Sequence, residues 1–261
     1  MTTGLDLTGR VAVVTGAGSP TGIGFAICQR LGELGATVTL TATTGRIHDR
    51  ARELQAAGIE ATGTVADLTD AVAAESVVGE ATERWGRLDI LVNNAGMTSV
   101  TDTAATSGGV DGLPYDEWRA SLRRNLDTAF LMSKAALPVM RRQRWGRIVM
   151  VSSVTGPVMA MRDDAAYAAG KAGMVGLVRS LAVDVAGDGI TANAVAPGWI
   201  ATGSQTPDER REGDVTPMHR SGTAAEVAWP VAWLCTPGAA YLTGQCVVVD
   251  GGNAVAEERA V

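Results

Sequence analysis

Tyr167 and Lys171 stand four residues apart in an Ala/Gly-rich, helix-compatible run. At that spacing both side chains project from one helix face, about a turn apart. A free phenol titrates near ~10 and is a poor base at neutral pH; an ammonium fixed beside it favours the phenolate and lowers that value. Ser153, fourteen residues before Tyr167, offers a hydroxyl for a carbonyl or alkoxide oxygen. A proton donor, a cation and a hydroxyl are the groups that acid/base-assisted hydride transfer at a carbonyl uses. Tyr and Lys at this spacing also occur on many solvated helix faces, so the pair gains meaning only from the elements that position it.

Those elements repeat one arrangement. VAVV (11–14) is a continuous apolar run, the mark of a strand buried on both faces, and leads through Gly16, Gly18, Gly22 and Gly24 into the helical stretch FAICQRLGELG. Strand, glycine-rich turn and helix let a pyrophosphate approach backbone N–H groups at a helix N-terminus; a plain βα turn is the competing reading. ATVTLTATT (36–44) alternates and predicts a second strand. Where NAD-binding folds place a carboxylate on the ribose 2′-hydroxyl, this strand ends in Thr43 and Thr44, with Arg46 close behind. Two hydroxyls and an arginine suit a 2′-phosphate, which favours NADP over the alternative NAD; Arg46 also reads as the start of the solvated helix RIHDRARELQAAG. IEATGTVADLTD (59–70) predicts a third strand ending at Asp67, a residue suited to accept from an adenine amino group or to cap the next helix. RLDILVNNAG (87–96) predicts a fourth, closing on Asn93, Asn94, Ala95 and Gly96. Strands alternating with helices predict an α/β fold: a doubly wound, Rossmann-like parallel sheet with helices on both faces (three layers, α/β/α) and ligand at the carboxyl strand ends.

Residues 97–113 are rich in Thr, Ser and Gly and predict a surface loop near the site. A long helical pattern runs from Pro114 to Gln143, acids early and arginines late, as the helix dipole favours. Asn125 within it needs a partner, either as a satisfied core residue or as a kink around a water. GRIVMVSSVTG (146–156) predicts a fifth strand with Ser152 and Ser153 at its end. Small residues around Tyr167 predict close packing of that helix against another, including one from a second subunit. GITANAVAPGWIATG (189–203) predicts a strand turning at Pro197 and Gly198, and the polar, irregular 204–222 reads as a substrate lid. Thr223 and Glu226 form a capping box before EVAWPVAWL, where Pro230 kinks the helix or removes one hydrogen bond. YLTGQCVVVDGG supplies the last strand, and the charged tail EERAV is expected to be loose. No repeat or linker interrupts residues 1–261, so one domain is expected.

Composition excludes several classes. With 46% hydrophobic and 19% charged residues the chain can build a real core, and its 32 glycines suit tight turns and close packing. A net charge of −6 without any Lys/Arg-rich block argues against nucleic acid and anionic membranes as partners. The three cysteines, Cys28, Cys235 and Cys246, lack metal or redox spacing, and Cys28 and Cys246 read as small buried hydrophobes. His48 and His219 are too far apart to suggest zinc. The N-terminus MTTGLDLTGR has no apolar core of a signal peptide, and no apolar run reaches membrane-spanning length. A reducing cytoplasm is the expected location.

TGAGSPTGIG (15–24), NNAG (93–96), Asn125 in RRNLDTAF, VSSVTG (151–156), YAAGK (167–171), PGWIAT (197–202) and the closing LTGQCVVVDGG follow one another across essentially the whole chain. In that order they resemble the short-chain dehydrogenase/reductase family. The resemblance implies that Tyr167 is the general acid in reduction, that Lys171 lowers the Tyr pKa and holds the nicotinamide ribose, that Ser153 binds the substrate oxygen, and that Asn125 supports a water relaying protons to Lys171. The NAD(P) contacts it implies are Gly16, Ser19, Gly22, Ile23, Gly24, Thr43, Thr44, Arg46, Asp67, Leu68, Asn94, Ala95, Gly96, Tyr167, Lys171, Pro197, Gly198, Ile200 and Thr202. It also implies a small-molecule carbonyl or alcohol substrate and a homo-oligomer, tetramer or dimer. TATT at the second strand end resembles the 3-oxoacyl-acyl-carrier-protein reductases within the family, which makes a 3-oxoacyl thioester the leading substrate. The alternatives are an NAD-linked secondary-alcohol, sugar or steroid dehydrogenase, and a non-catalytic dinucleotide sensor. Three features depart from the family pattern. The glycine loop is two residues longer, with Pro20 and Thr21 inserted; the Ser153–Tyr167 spacing is one longer, which predicts a bulged loop between them; and the segment 97–115 is long.

Overall fold

The computed structural model describes residues 4–96 and 108–257. Residues 97–107 of the loop expected over 97–113, and the end of the tail, therefore lie outside the described residues. The strands are β1 (Val11–Val14), β2 (Thr37–Ala42), β3 (Ala61–Val65), β4 (Ile90–Asn93), β5 (Gly146–Val151), β6 (Ile190–Pro197), β7 (Ile200–Ala201), β8 (Gly222–Thr223) and β9 (Cys246–Val249). The helices are α1 (Ile23–Glu33), α2 (Ile47–Ala56), α3 (Ala71–Trp85), α4 (Tyr115–Leu122), α5 (Thr128–Gln143), α6 (Ala165–Val185), α7 (Pro207–Asp214) and α8 (Ala224–Leu234).

Seven strands pair in parallel in the order β3-β2-β1-β4-β5-β6-β9, while β7 and β8 form a separate short pair. Successive strand residues face opposite sides, so each apolar run serves two cores. Ala12, Val14, Ile90, Val92, Val149 and Val151 pack with Phe25, Ile27, Leu31, Leu54 and Val231 on the side of α1, α2 and α8. Val13, Leu91, Ile148 and Met150 pack with Val77, Met132, Met174 and Val178 on the side of α3, α5 and α6. Burying one such side chain contributes roughly 1.5–3 kcal/mol, which is why these runs become central strands. The chain winds outward from β1 to β3, then returns to place β4 beside β1. That reversal opens a crevice at the carboxyl ends of β1 and β4, the place where doubly wound sheets bind ligands.

Several local expectations are corrected. The single helix expected over 114–143 is broken by a π-helical turn at Arg123–Asp127, between α4 and α5. Asn125 is the buried residue of that turn, and its amide nitrogen donates to Ser121 O at 3.1 Å. The small-residue face of α6 packs on this same turn: a Cβ at Gly170 would stand 3.0 Å from Asn125 Cβ, and one at Gly173 would stand 2.9 Å from Leu126. At Gly170 and Gly173 the close neighbour is an element of the same chain. Asp70 caps α3, accepting from Val72 N at 2.9 Å. Asp67 instead closes its own turn by accepting from Thr69 N and Oγ1 at 3.0 and 2.8 Å. Residues 204–222 are not irregular throughout: Thr206 and Glu209 form a capping box that starts α7. The box expected at Thr223 and Glu226 opens α8. Cys28 and Cys235 are fully buried, and burial pushes both thiols up; Cys246, on edge strand β9, is only half-buried.

At the amino ends of the strands lies a polar cluster. Asp89, fully buried, accepts from Arg10 at 2.9 Å, from Arg87 through two bonds at 2.7 Å, and from Val11 N at 3.0 Å. Trp145 lies between two guanidinium groups, Arg10 at 3.9 Å and Arg147 at 4.4 Å from its ring centre. Such stacking stabilises by about 0.5–2 kcal/mol per pair.

Candidate active site

Thr15 organises the crevice. Its Oγ1 accepts from Asn94 N at 3.0 Å and Ala95 N at 2.9 Å, while the Asn94 amide donates to Thr15 O at 3.0 Å and Gly16 O at 3.1 Å. The glycine loop after β1 is thereby stitched to the end of β4. The side-chain amide of Asn94, expected on the nicotinamide side, is spent on this stitch. A Cβ at Gly24 would stand 2.5 Å from Asn94 Nδ2 and 2.7 Å from Gly16 O; one at Gly16, where φ is +69°, would stand 2.8 Å from Ala95 Cα. Both positions therefore require glycine.

The loop fits a dinucleotide pyrophosphate. Gly22 is the N-cap of α1, no side chain caps that helix, and its first turn carries no acid. Its N–H groups and positive dipole end are therefore available to an anion. Ser19 accepts from Gly22 N through its carbonyl at 3.2 Å, and Ile23 begins the helix. Arg46 lies over the loop: a Cβ at Gly18 would stand 2.8 Å from its Nε. Thr43 and Thr44 follow the end of β2, and the buried Thr44 Oγ1 has no hydrogen-bond partner. A cation and a buried hydroxyl lacking a partner suit a phosphate on the ribose. Asp67 lies just past β3, but the side chain of Leu68 belongs to the core below the sheet, so only its backbone faces a ligand.

Ser153 lies two residues past β5, and Tyr167 and Lys171 lie in the first two turns of α6. The longer spacing between Ser153 and Tyr167 is taken up by a turn in which Gly156 N donates to Met159 O at 2.8 Å and Thr155 bridges Met159. Lys171 is 3% exposed, and its Nζ donates to Val151 O at 3.0 Å while standing 5.6 Å from the Tyr167 ring centre. Ser152 donates to Lys171 O at 2.9 Å and so anchors this turn of α6 to β5. A Cβ at Gly96 would stand 2.8 Å from Asn125 Oδ1 and 3.2 Å from Lys171 Nζ, so both groups converge on the bare face of that glycine. Gly198 closes against Asp250, Pro197 O accepts from Val154 N at 2.9 Å, Ile200 lies in β7, and the Thr202 and Ser204 hydroxyls pair at 3.0 Å.

The electrostatics differ from the expectation. Burial pushes the Tyr167 phenol up to about 12; the Ser153 hydroxyl opposes that rise, and the charges of Asp164 and Glu209 add to it. Burial also lowers the pKa of Lys171, to about 8. The protein alone therefore holds Tyr167 as a protonated donor, not as a ready phenolate. Asp164, pushed up to about 6 by burial, lies three residues before Tyr167 at the head of α6. Thr15 and Asp164 are not among the site residues expected from the sequence, and Ser152, expected only at the end of the fifth strand, takes a structural role. Thr15 is legible there as the first residue of TGAGSPTGIG, and Asp164 as the only acid within one turn of the tyrosine on the N-terminal side besides Asp163.

A doubly wound sheet with a glycine loop at its switch point, and a Tyr–Lys–Ser group across the crevice, defines a dinucleotide-dependent oxidoreductase. The profile of a family described as enoyl-(acyl carrier protein) reductase matches residues 16–254. The 3-oxoacyl-acyl-carrier-protein reductase FabG of Pseudomonas aeruginosa is 40% identical over 254 residues, 95% of this chain and 98% of that protein. The oxidoreductase UcpA of Escherichia coli is 36% identical over 267 residues, 98% of each chain. A crystal structure of a dehydrogenase/reductase from Sinorhizobium meliloti superposes with a TM-score of 0.87 at 30% identity, over 97% of this chain and 98% of that one. The chain belongs to the short-chain dehydrogenase/reductase family. It is an oxidoreductase acting on CH–OH and C=O groups, with a nicotinamide dinucleotide as cofactor. No helix among the described residues is long and apolar enough to cross a membrane, and no group of His, Cys, Asp or Glu among them is arranged to hold a metal ion.

Proposed function

We propose that the protein is an NADP(H)-dependent ketone reductase whose substrate is a 3-oxoacyl thioester. The observation that carries this reading is the grouping of Tyr167 with Ser153 and Lys171, whose Nζ stands 5.6 Å from the phenol ring centre, together with a glycine loop over which Arg46 lies. NADPH, when bound, supplies the hydride. Gly16, Gly22 and Gly24 leave room for its pyrophosphate at the head of α1, and Arg46 with Thr44 would hold its 2′-phosphate. Ser153 donates a hydrogen bond to the substrate carbonyl, which orients it and stabilises the developing alkoxide. Tyr167 gives that oxygen its proton. Lys171, still largely protonated at neutral pH, then stabilises the phenolate that remains. Asn125, converging with Lys171 on Gly96, would hold a water that passes a proton to Lys171, and through it the tyrosine is reprotonated. The chain acts as one catalytic unit in the cytoplasm. Exposed Phe130 on α5, Val183 on α6 and Val248 on β9 support assembly as a homo-oligomer, a tetramer by family resemblance.

The test is consumption of NADPH with a 3-oxoacyl thioester by wild type and Tyr167→Phe. Wild type should turn over, and the variant should lose at least ~100-fold in kcat while binding NADPH normally. An enoyl thioester under the same conditions should remain unreduced. Near-wild-type turnover by Tyr167→Phe refutes the mechanism. NADH binding as tight as NADPH binding, unmoved by Arg46→Ala, refutes the cofactor assignment and favours the NAD-linked alcohol dehydrogenase.

A further inference from the structure

Thr21, one of the two residues that lengthen the glycine loop, makes a contact the ketone-reductase reading does not use. Thr21 Oγ1 accepts a hydrogen bond from Gly203 N at 2.9 Å, across 182 residues of sequence. A Cβ at position 203 would stand 2.7 Å from that oxygen, so a side chain there would push the Thr21 hydroxyl off this bond. Gly203 sits where the chain leaves β7 and begins the arm that carries α7. The arm is closed at its base by the pairing of Ile200 with Gly222 and Ala201 with Thr223, and by Gln205 Nε2 donating to Ser221 Oγ at 2.8 Å. At its far side, the charge of Glu209 on α7 acts on the Tyr167 phenol. One hydrogen bond thus joins the loop that receives phosphate to the root of an arm that reaches the proton donor.

We propose that Thr21 is a positioning residue that clasps the root of the 202–221 arm to the phosphate loop, so that a dinucleotide settled on the loop fixes the arm over the substrate carbonyl. The proposal rests on the glycine loop being the dinucleotide site. A threonine hydroxyl suits the task because it accepts from the arm while its backbone stays part of the loop. When the loop is ordered by a ligand, the Gly203 N–H has a fixed acceptor and the arm loses freedom at its hinge. Without the hydroxyl, ordering at the loop has no direct route to the arm. The effect therefore belongs in the apparent affinity for the ketone and in the protection of α7, more than in the chemical step.

Limited trypsin digestion tests this, because Arg210 and Arg211 are exposed on α7. Wild type, Thr21→Val and Thr21→Ser are digested with and without saturating NADPH, with binding followed separately by the fluorescence of the bound dinucleotide. NADPH should slow cleavage at these arginines in wild type and in Thr21→Ser. In Thr21→Val the protection should fall by roughly 3–10-fold, the effect expected from one hydrogen bond, and KM for the ketone should rise by a similar factor while kcat changes less. Full protection of Thr21→Val while it binds NADPH overturns the clasp and leaves the dinucleotide reading intact. Failure of wild type to bind NADPH overturns both.

Discussion

Lys171→Met should make the protein more stable and inactive. Lys171 is 3% exposed, and burial lowers its ammonium from 10.5 to about 8. At 1.36 kcal/mol per unit, that displacement is a penalty of about 3 kcal/mol, carried by the folded state while the group stays charged. Methionine removes the charge and fills a similar volume. It also removes the bond from Nζ to Val151 O, and a buried carbonyl deprived of its donor costs about 1–3 kcal/mol. The balance is a gain of about 1 kcal/mol, or ~2–4 °C in Tm for a chain of this size. The pH dependence separates the two contributions. Between pH 8 and 10.5 the unfolded lysine holds a proton that the folded one has lost, so wild-type stability rises with pH across that window. The variant has no such group, so its advantage should be largest below pH 8, shrink above it, and reverse by pH 10.5. Calorimetric melts of the dinucleotide-free proteins at pH 7 and pH 10, with turnover assays alongside, read this directly. A difference between the two proteins that stays constant or widens with pH refutes the reasoning.

Four further outcomes follow from the geometry. Asp164→Asn removes a charge that raises the Tyr167 pKa, so the basic limb of the pH–rate profile should move to lower pH; an unmoved limb would detach Asp164 from the site. Gly24→Ala places a methyl group against Asn94 and Gly16 O, costing about 1–3 kcal/mol, and should weaken NADPH binding at least tenfold by fluorescence titration. The opposite sign is expected for Gly79→Ala in α3, where a Cβ meets nothing within 4 Å and the helix gains about 1 kcal/mol in denaturant melts. Asp89→Ala leaves Arg10 and Arg87 without their buried carboxylate and should cost about 3–5 kcal/mol in urea unfolding.

The central strands were legible because a parallel strand buried on both faces is apolar along its length, as VAVV (11–14) and ILV (90–92) are. Their order followed from alternation with helices, and the position of the site followed from the glycine and asparagine clusters at strand ends. The π turn at Asn125 was not legible, because a helix with one extra residue keeps the same apolar character and only shifts its phase. Nor was α7: its residues are polar on every side, so periodicity is silent and only the Thr206–Glu209 capping box marks it. The effect of burial on Tyr167 is hidden from the sequence for a related reason. Sequence spacing set an ammonium beside a phenol, but it could not weigh that proximity against burial, which acts on both groups and dominates here. The Thr21 contact joins residues 182 apart through one hydroxyl, and no local pattern encodes it.

Asp89 immediately precedes the first residue of β4, and Asn93 ends it. At about 3.3 Å per residue, the buried carboxylate and the dinucleotide crevice are some ~13 Å apart along a rigid strand. Substitutions separated by more than about 7–10 Å without shared partners combine additively. The fold therefore keeps two independent accounts of mutation. Residues around the Arg10–Trp145–Arg147 stack set the threshold at which the protein unfolds, and those around Tyr167 set what it reacts with. A lineage, or an engineer, that strengthens the amino ends of the strands gains tolerance for destabilising changes in the crevice. New substrate preferences then become reachable by steps that would otherwise unfold the chain.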